Sequence, residues 1–201
     1  MNKKSSLEKT KALVGMAIFT ALVVVLQELA GIIRIGIFTP SLVLIPIVIG
    51  AASYGWKTGA WLGLVFGALV LAACISGTDI GGSAMWNFNP VVTALICIVK
   101  GVAAGAAAGL VYEALHKKSI ILATVLAAVV CPAVNTGLFT IGALAVFKPL
   151  LLEWAAGAGY VDDLLGYVFF GMIGLNFLVE MGINVVLSPV VVRILKIRKL
   201  S

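Results

Sequence analysis

The chain has 201 residues, of which 62% are hydrophobic and 11% are charged, and its formal net charge is +6. Soluble domains are about 45–50% apolar and about 25% charged, so this composition excludes a water-soluble globular protein. All basic residues except Lys100 lie at the ends of the chain or in short connections, so the positive charge does not indicate nucleic-acid binding. We predict an all-α, polytopic membrane protein with a single domain over residues 1–201.

The first predicted span, Lys11–Ala30, orients the rest of the chain. About 20 apolar residues at 1.5 Å each cross the roughly 30 Å hydrocarbon core of a bilayer. A lysine-rich head precedes this span, so the positive-inside rule places the N-terminus in the cytoplasm. Ala17 and Ala21 share one face of the span, and small side chains at that spacing let another helix approach closely.

Five further apolar runs predict five more spans, which gives a bundle of six transmembrane helices. In chain order these spans are Leu42–Tyr54, Thr58–Ile75, Pro90–Leu115, Ser119–Phe147 and Gly166–Ile194. The second span is short, and Pro132 is expected to interrupt the fifth because proline removes a backbone donor. The connections expected outside the cell are Gly31–Ser41, Ser76–Asn89 and Lys148–Leu165.

The distribution of Lys and Arg supports this topology. Of the 14 basic residues, three fall elsewhere: Arg34 and Lys148 in outer loops and Lys100 within the fourth span. The other eleven lie in segments predicted to be cytoplasmic: Lys3, Lys4, Lys9, Lys11, Lys57, Lys117, Lys118, Arg193, Lys196, Arg198 and Lys199. An even number of spans with both termini in the cytoplasm follows.

Glycines recur at every fourth position in two of the predicted spans. They are Gly59, Gly63 and Gly67 in the third span, and Gly101, Gly105 and Gly109 in the fourth. Small residues at this spacing bring helix backbones together in lipid, so we expect tight helix packing within the bundle.

Ionisable and amide side chains at membrane depth are costly and usually mark function. The chain places several of them in or near the outer half of the predicted bundle: Glu28, Asn87, Asn89, Lys100, Asn135, Asn176 and Glu180. Together with Arg34 of the first outer loop, we interpret them as substrate-binding residues of a polar pocket that opens outward. The alternative is structural, with a Lys100–Glu180 ion pair and amides that bond across helices.

Constellations for catalysis or metal binding are absent from the sequence. His116 is the only histidine, and it lies at a predicted cytoplasmic corner, away from any serine inside the membrane. Neither a Gly-x-x-x-x-Gly-Lys-Ser/Thr phosphate-binding loop nor a Cys/His metal cluster occurs. Cys74, Cys97 and Cys131 lie in apolar runs and are interpreted as small core residues without a disulfide. We therefore expect no enzymatic activity, no cofactor and no ability to drive transport with ATP alone.

Several segments resemble the substrate-binding S components of energy-coupling factor (ECF) vitamin transporters. The predicted topology and the Ala17-x-x-x-Ala21 pair in the first helix are similar to that family. The stretch Leu44–Gly67 is similar to the second and third helices of its riboflavin-type members. The run from Lys100 to Tyr112, rich in small residues, is similar to their fourth helix.

The resemblance implies a binding subunit, multi-pass in a bacterial cell membrane, that captures a water-soluble vitamin or related micronutrient. In such transporters the face that carries Ala17 and Ala21 docks on a transmembrane coupling subunit, which two cytoplasmic ATPase subunits drive. The resemblance also implies that substrate enters from outside, below the loop that joins helices one and two. The S component is then thought to topple in the membrane and release the substrate inside.

Two other functions also fit the sequence. One is a self-sufficient, proton-coupled carrier for a small polar solute, with Glu28, Lys100 and Glu180 as its proton relay. The other is a membrane scaffold without a ligand. The charge of the pocket does not choose the ligand, because the two glutamates offset Arg34 and Lys100. Pantothenate and riboflavin therefore both stay open.

Overall fold

The computed structural model describes residues 3–30 and 42–200, with side chains described at 10–30, 42–174 and 177–193. Every element in these residues is helical. In chain order they are α1 Lys3–Ala30, α2 Leu44–Tyr54, α3 Trp56–Ser76, α4 Ile80–Phe88, α5 Pro90–Leu115, α6 Ile120–Val146, α7 Lys148–Gly157, α8 Leu164–Gly166, a π-helical segment Tyr167–Met172, and α9 Gly174–Leu200.

Five helical stretches within the described residues are long and apolar enough to cross a bilayer. They are Thr10–Ala30, Trp56–Ser76, Pro90–Leu115, Ile120–Val146 and Leu164–Arg193. The chain is therefore an all-α, multi-pass membrane protein. The prediction of six membrane-crossing helices is confirmed only in part, because the remaining apolar helix, α2, is short.

Helix α2 has 11 residues and covers about 16 Å, roughly half of the hydrocarbon core. Leu44 and the run from Pro46 to Ala51 are buried, and α2 contacts α1, α3, α5, α6 and α9. Its apolar composition thus reflects burial among other helices. Hydropathy alone does not distinguish burial in protein from burial in lipid.

Two of the predicted outer loops contain helices. The 76–89 connection holds α4, and the 148–165 connection holds α7. Asp79 forms the N-cap of α4, where its Oδ1 accepts a hydrogen bond from the Gly82 N–H at 2.7 Å. Helices of nine and ten residues are too short to register as hydrophobic spans, which explains why the sequence pattern missed them.

The predicted interruption at Pro132 is wrong. Helix α6 continues from Ile120 to Val146, with Pro132 fully buried inside it. Proline removes one hydrogen bond of the helix, and the remaining bonds together with close packing keep the helix intact. The irregular backbone lies ahead of α9 instead, where the Ile173 N–H bonds to the Val168 carbonyl at 3.0 Å in the π-helical register. Such π-helical turns occur frequently at functional sites.

Helices α3 and α5 pack against each other through their glycines. A Cβ atom added at Gly63 would collide with the carbonyl oxygen of Gly101, and one added at Gly105 would collide with that of Gly59. The pairing is antiparallel, and it continues to Gly67, where a Cβ atom would meet the Cys97 carbonyl. Two backbones this close require residues without side chains, as the glycine spacing predicts.

The alternating helices give the molecule two ends. The basic end carries Lys11, Lys57 and the turn His116–Lys118, which joins α5 to α6. Helices α1 and α3 both begin there, and the Trp61 Nε1–H donates to Thr20 Oγ1 at 3.2 Å between them. The opposite end, here called the cavity end, carries α4, α7 and the π-helical segment.

A buried apolar cluster holds the short elements of the cavity end in place. It joins α4 and α7 to the end of α6 and to the π-helical segment. Its members are Met85, Ala143, Phe147, Leu151, Ala155, Tyr167, Val168 and Met172. Helix α4 is therefore a fixed wall at this end of the bundle.

Candidate ligand-binding cavity

A cavity opens at the cavity end of the bundle, among α1, α3, α4, α5, α6 and α9. It encloses about 740 Å³ of empty space, part of which is continuous with the outside of the molecule. Its lining residues are Gln27, Val70, Cys74, Asp79, Gly82, Met85, Thr93, Ile96, Cys97, Lys100, Asn135, Thr136, Phe139, Met172, Ile173, Phe177 and Glu180. Apolar walls with a few converging polar groups are typical of small-molecule sites.

Three helices each bring a deeply buried polar side chain to this cavity. Gln27 near the end of α1, Asn135 in α6 and Glu180 in α9 are 8%, 4% and 6% exposed. Each lies on a helix that is long and apolar enough to cross a bilayer. Polar groups at such positions are expensive, and they favour a functional role over a merely structural one.

Two of these side chains have an oxygen that accepts no hydrogen bond from the described residues. Among the described residues, nothing donates to Gln27 Oε1 or to Asn135 Oδ1. A buried acceptor without a partner costs about 1–3 kcal/mol. Both oxygens line the same cavity, so a ligand that carries hydrogen-bond donors can satisfy both of them at once.

Lys100 brings a positive charge to the cavity from α5. Its Nζ lies 5.1 Å from the ring centroid of Phe139 and 5.9 Å from that of Phe66, close enough for cation–π attraction. Within the part of the chain that the structure describes, no ion pair joins Lys100 to Glu180. The structural alternative raised by the sequence, in which these two charges neutralise each other, is therefore not what the geometry favours.

The two carboxylates of the cavity have different surroundings. Asp79 is tied to the N-terminus of α4 through its bond to the Gly82 N–H. Glu180 lies near the middle of the apolar stretch Leu164–Arg193, and its backbone carbonyl accepts a hydrogen bond from Asn184 Nδ2 at 2.7 Å. Asn184 is buried one turn further along α9 and does not line the cavity. The Asn184 side chain thus forms a hydrogen bond within its own helix.

The apolar wall includes a pair of thiols. The Sγ atoms of Cys74 in α3 and Cys97 in α5 lie 4.0 Å apart, and both residues line the cavity. Cys131 is buried elsewhere in α6. All three are free and buried, which confirms the interpretation as core residues without a disulfide.

The structure brings together three of the eight predicted substrate-binding residues: Lys100, Asn135 and Glu180. Glu28 and Asn87 are exposed and are not in the lining, while Asn89 caps α5 by accepting from the Val92 N–H at 3.1 Å. Arg34 and the side chain of Asn176 lie outside the described residues.

Sequence reasoning missed Gln27 and Asp79. The sequence pattern led to Glu28 and not to its neighbour Gln27. Adjacent side chains on a helix point about 100° apart, so only one of the two can face the cavity. Val23, Gln27 and Ala30 form one buried stripe at helical spacing, but this stripe is visible only in the structure, because the residues that precede Gln27 are apolar on every face of α1. Asp79 had the signature of a helix N-cap, an aspartate that follows a glycine-containing turn, but the helix behind it was not recognised.

The predicted docking residues lie on a bare face of the first helix. Ala17 and Ala21 are exposed, as are their neighbours Leu13, Val14 and Ile18, which are 54–61% exposed. The remaining helices of the described chain therefore leave this face uncovered. Its apolar character fits contact with lipid or with another membrane helix.

Comparison with known proteins gives two matches. Residues 11–192 match a family described as the substrate-specific component of ECF transporters. The chain is also similar to the pantothenic acid transporter PanT of Lactococcus lactis subsp. cremoris (strain MG1363), with 27% identity over 188 residues. That match covers 88% of this chain and 89% of the relative.

Proposed function

Because this chain belongs to the family of ECF transporter substrate-specific components, we propose that it captures pantothenate outside the cell for import by a separate ATP-hydrolysing module. The coarser function, a vitamin-uptake subunit of the membrane, follows from the family and the relative together. The family is one of transporter components and not a class of enzymes.

The main support for this proposal is the cavity. It is partly open and lies among membrane helices, where Gln27 and Asn135 present acceptors that lack donors among the described residues. Pantothenate has two hydroxyl groups and an amide N–H, which are donors of the required kind. Its branched carbon chain matches the apolar walls, and the similar transporter PanT is named for pantothenic acid.

We propose that the cavity end faces the outside and that both termini are cytoplasmic. Support comes from the basic residues, since Lys11, Lys57, Lys117 and Lys118 all belong to the basic end of the bundle. The positive-inside rule places such an end in the cytoplasm. An outward cavity suits a subunit that collects a scarce solute from the medium.

We further propose that import needs a transmembrane coupling subunit and two cytoplasmic ATPase subunits. The sequence has no phosphate-binding loop of its own. The uncovered face with Ala17 and Ala21 offers the coupling subunit a surface on which helices can approach closely.

Uptake of labelled pantothenate tests this function. Cells without their own pantothenate uptake should accumulate label when they express the chain with the energising module, and not when they express either alone. A module whose ATPases cannot hydrolyse ATP is the control and should give no uptake. Proton-driven uptake by the chain alone in liposomes would contradict the proposal and favour a self-sufficient carrier.

A further inference from the structure

We propose that Lys100 binds the carboxylate of the ligand and so fixes which end of it enters the cavity first. This inference rests on the proposed function, and it assigns the part of the ligand that this protein discriminates. The cation is available for such a contact, because no carboxylate of the described residues pairs with it. Its Nζ lies near the rings of Phe66 and Phe139.

The position of the Lys100 charge favours a bound carboxylate, although the net charge of the described lining does not. The described lining has two carboxylates and one cation, which by summation disfavours an anion. Asp79, however, is held at the N-terminus of α4, where the Gly82 N–H and the helix dipole compensate its charge. Lys100 contributes the one cation of the described lining, from within α5, one of the five long apolar stretches.

The walls around Lys100 strengthen an ionic contact. Phe139, Ile96 and Val70 line the same cavity and make part of its wall apolar. An ion pair in such surroundings is screened less than one in water. Aromatic rings attract the ammonium group only weakly, so an incoming carboxylate competes successfully for it.

The other polar groups of the lining suit a single orientation of the ligand. With the carboxylate on Lys100, the amide N–H and the hydroxyl groups of pantothenate are left to meet acceptors. Gln27 Oε1, Asn135 Oδ1 and the Glu180 carboxylate supply acceptors in the lining. The site therefore pairs a donor with the acid end and acceptors with the alcohol end.

Pantothenate and panthenol provide a matched pair of probes. Panthenol carries a CH₂OH group in place of the carboxylate and is otherwise the same molecule. Calorimetry on the purified full chain should show that the wild type prefers pantothenate by about ten- to 100-fold, since charge-assisted hydrogen bonds are stronger than neutral ones. Lys100→Met should reduce pantothenate affinity to that of panthenol and leave panthenol affinity within a few-fold.

Two further variants make the result specific. Lys100→Arg keeps the charge and should retain much of the preference. Lys148→Met removes an exposed lysine at the cavity end, outside the lining, and should leave the preference unchanged. Panthenol binding reports whether Lys100→Met is folded, and Lys100→Gln replaces it if that variant binds neither compound.

The outcomes separate the two proposals. A preference for pantothenate that survives in folded Lys100→Met or Lys100→Gln overturns the role of Lys100 and leaves the proposed function standing. A wild-type protein that binds neither compound overturns pantothenate as the ligand, and the assignment of Lys100 falls with it.

Discussion

At the scale of single residues, the proposed ligand binding depends on acceptors that the described residues leave without donors. Asn135 is 4% exposed, and its Oδ1 has no hydrogen-bond partner among the described residues. A folded protein tolerates such a group when a ligand supplies the missing bond. The same holds for Gln27, which faces the cavity from α1.

The first prediction concerns Asn135. Asn135→Ala should weaken binding of pantothenate about five- to 150-fold, because a hydrogen bond to a buried polar group is worth about 1–3 kcal/mol. Calorimetry on the folded variant gives the number. Asn87→Ala is the matched control, since Asn87 is exposed and does not line the cavity, and its affinity should stay unchanged. Equal affinities of both variants would leave Asn135 as a contact between helices.

The sequence anticipated Lys100, Asn135 and Glu180 because each interrupts a long apolar run, and such an interruption is visible without coordinates. It did not separate Gln27 from Glu28 near the end of α1. Both are polar and adjacent, so choosing between them requires knowing which face of α1 meets the other helices.

At the scale of elements, the close contact of α3 with α5 supports the wall of the cavity. Gly63 meets the backbone of Gly101 without room for a side chain, and Cys74 and Cys97 line the cavity near this seam. Gly63→Ala should therefore lower the thermal unfolding midpoint, with a loss of about 1–3 kcal/mol from overpacking. The loss is measured by unfolding the purified protein in detergent.

Gly182 provides the comparison for Gly63. A Cβ atom at Gly182 in α9 would meet nothing within 4 Å. Gly182→Ala should keep or raise the midpoint, because alanine favours helix more than glycine does. A Gly63→Ala variant as stable as Gly182→Ala would contradict the close packing of α3 on α5.

The exposed face of α1 gives a prediction that separates binding from transport. Ala17→Trp or Ala21→Trp should abolish uptake in cells that carry the energising module, because a large side chain holds a partner helix away. Ligand affinity of the isolated chain should stay within a few-fold, since neither residue lines the cavity. Uptake and calorimetry are measured on the same variants.

Ala145→Trp controls for the effect of a large side chain at an exposed alanine, because Ala145 is exposed on α6. It should leave both uptake and affinity intact. Normal transport by the Ala17→Trp and Ala21→Trp variants would remove this face as the docking surface. Loss of binding along with uptake would place these residues inside the fold of this chain.

Which elements could be predicted depended on their length. The fourth span was predicted with the bounds that α5 has, because a largely apolar run of 26 residues between Asn89 and His116 has clear limits. Helices α4 and α7 were missed, since short helices are held by tertiary contacts such as the Met85 and Phe147 cluster. The predicted interruption at Pro132 was wrong because one missing hydrogen bond was given more weight than the packing around the proline.

At the scale of the whole molecule, capture of a solute from outside requires the cavity end to face the medium. Glu153 on α7 is exposed at that end, and Lys117 lies at the basic end. An impermeant thiol reagent on intact cells should therefore label Glu153→Cys and not Lys117→Cys. The parent protein, whose three cysteines are buried, supplies the background. Labelling at Lys117→Cys would invert the topology.

The central claim, that this chain alone binds pantothenate in its cavity, is tested most directly by equilibrium titration of labelled pantothenate into the purified protein. We predict saturable binding of one molecule per chain, which unlabelled pantothenate displaces and Asn135→Ala weakens. Absence of saturable binding by the folded protein, or binding that Asn135→Ala and Lys100→Met both leave unchanged, would contradict it.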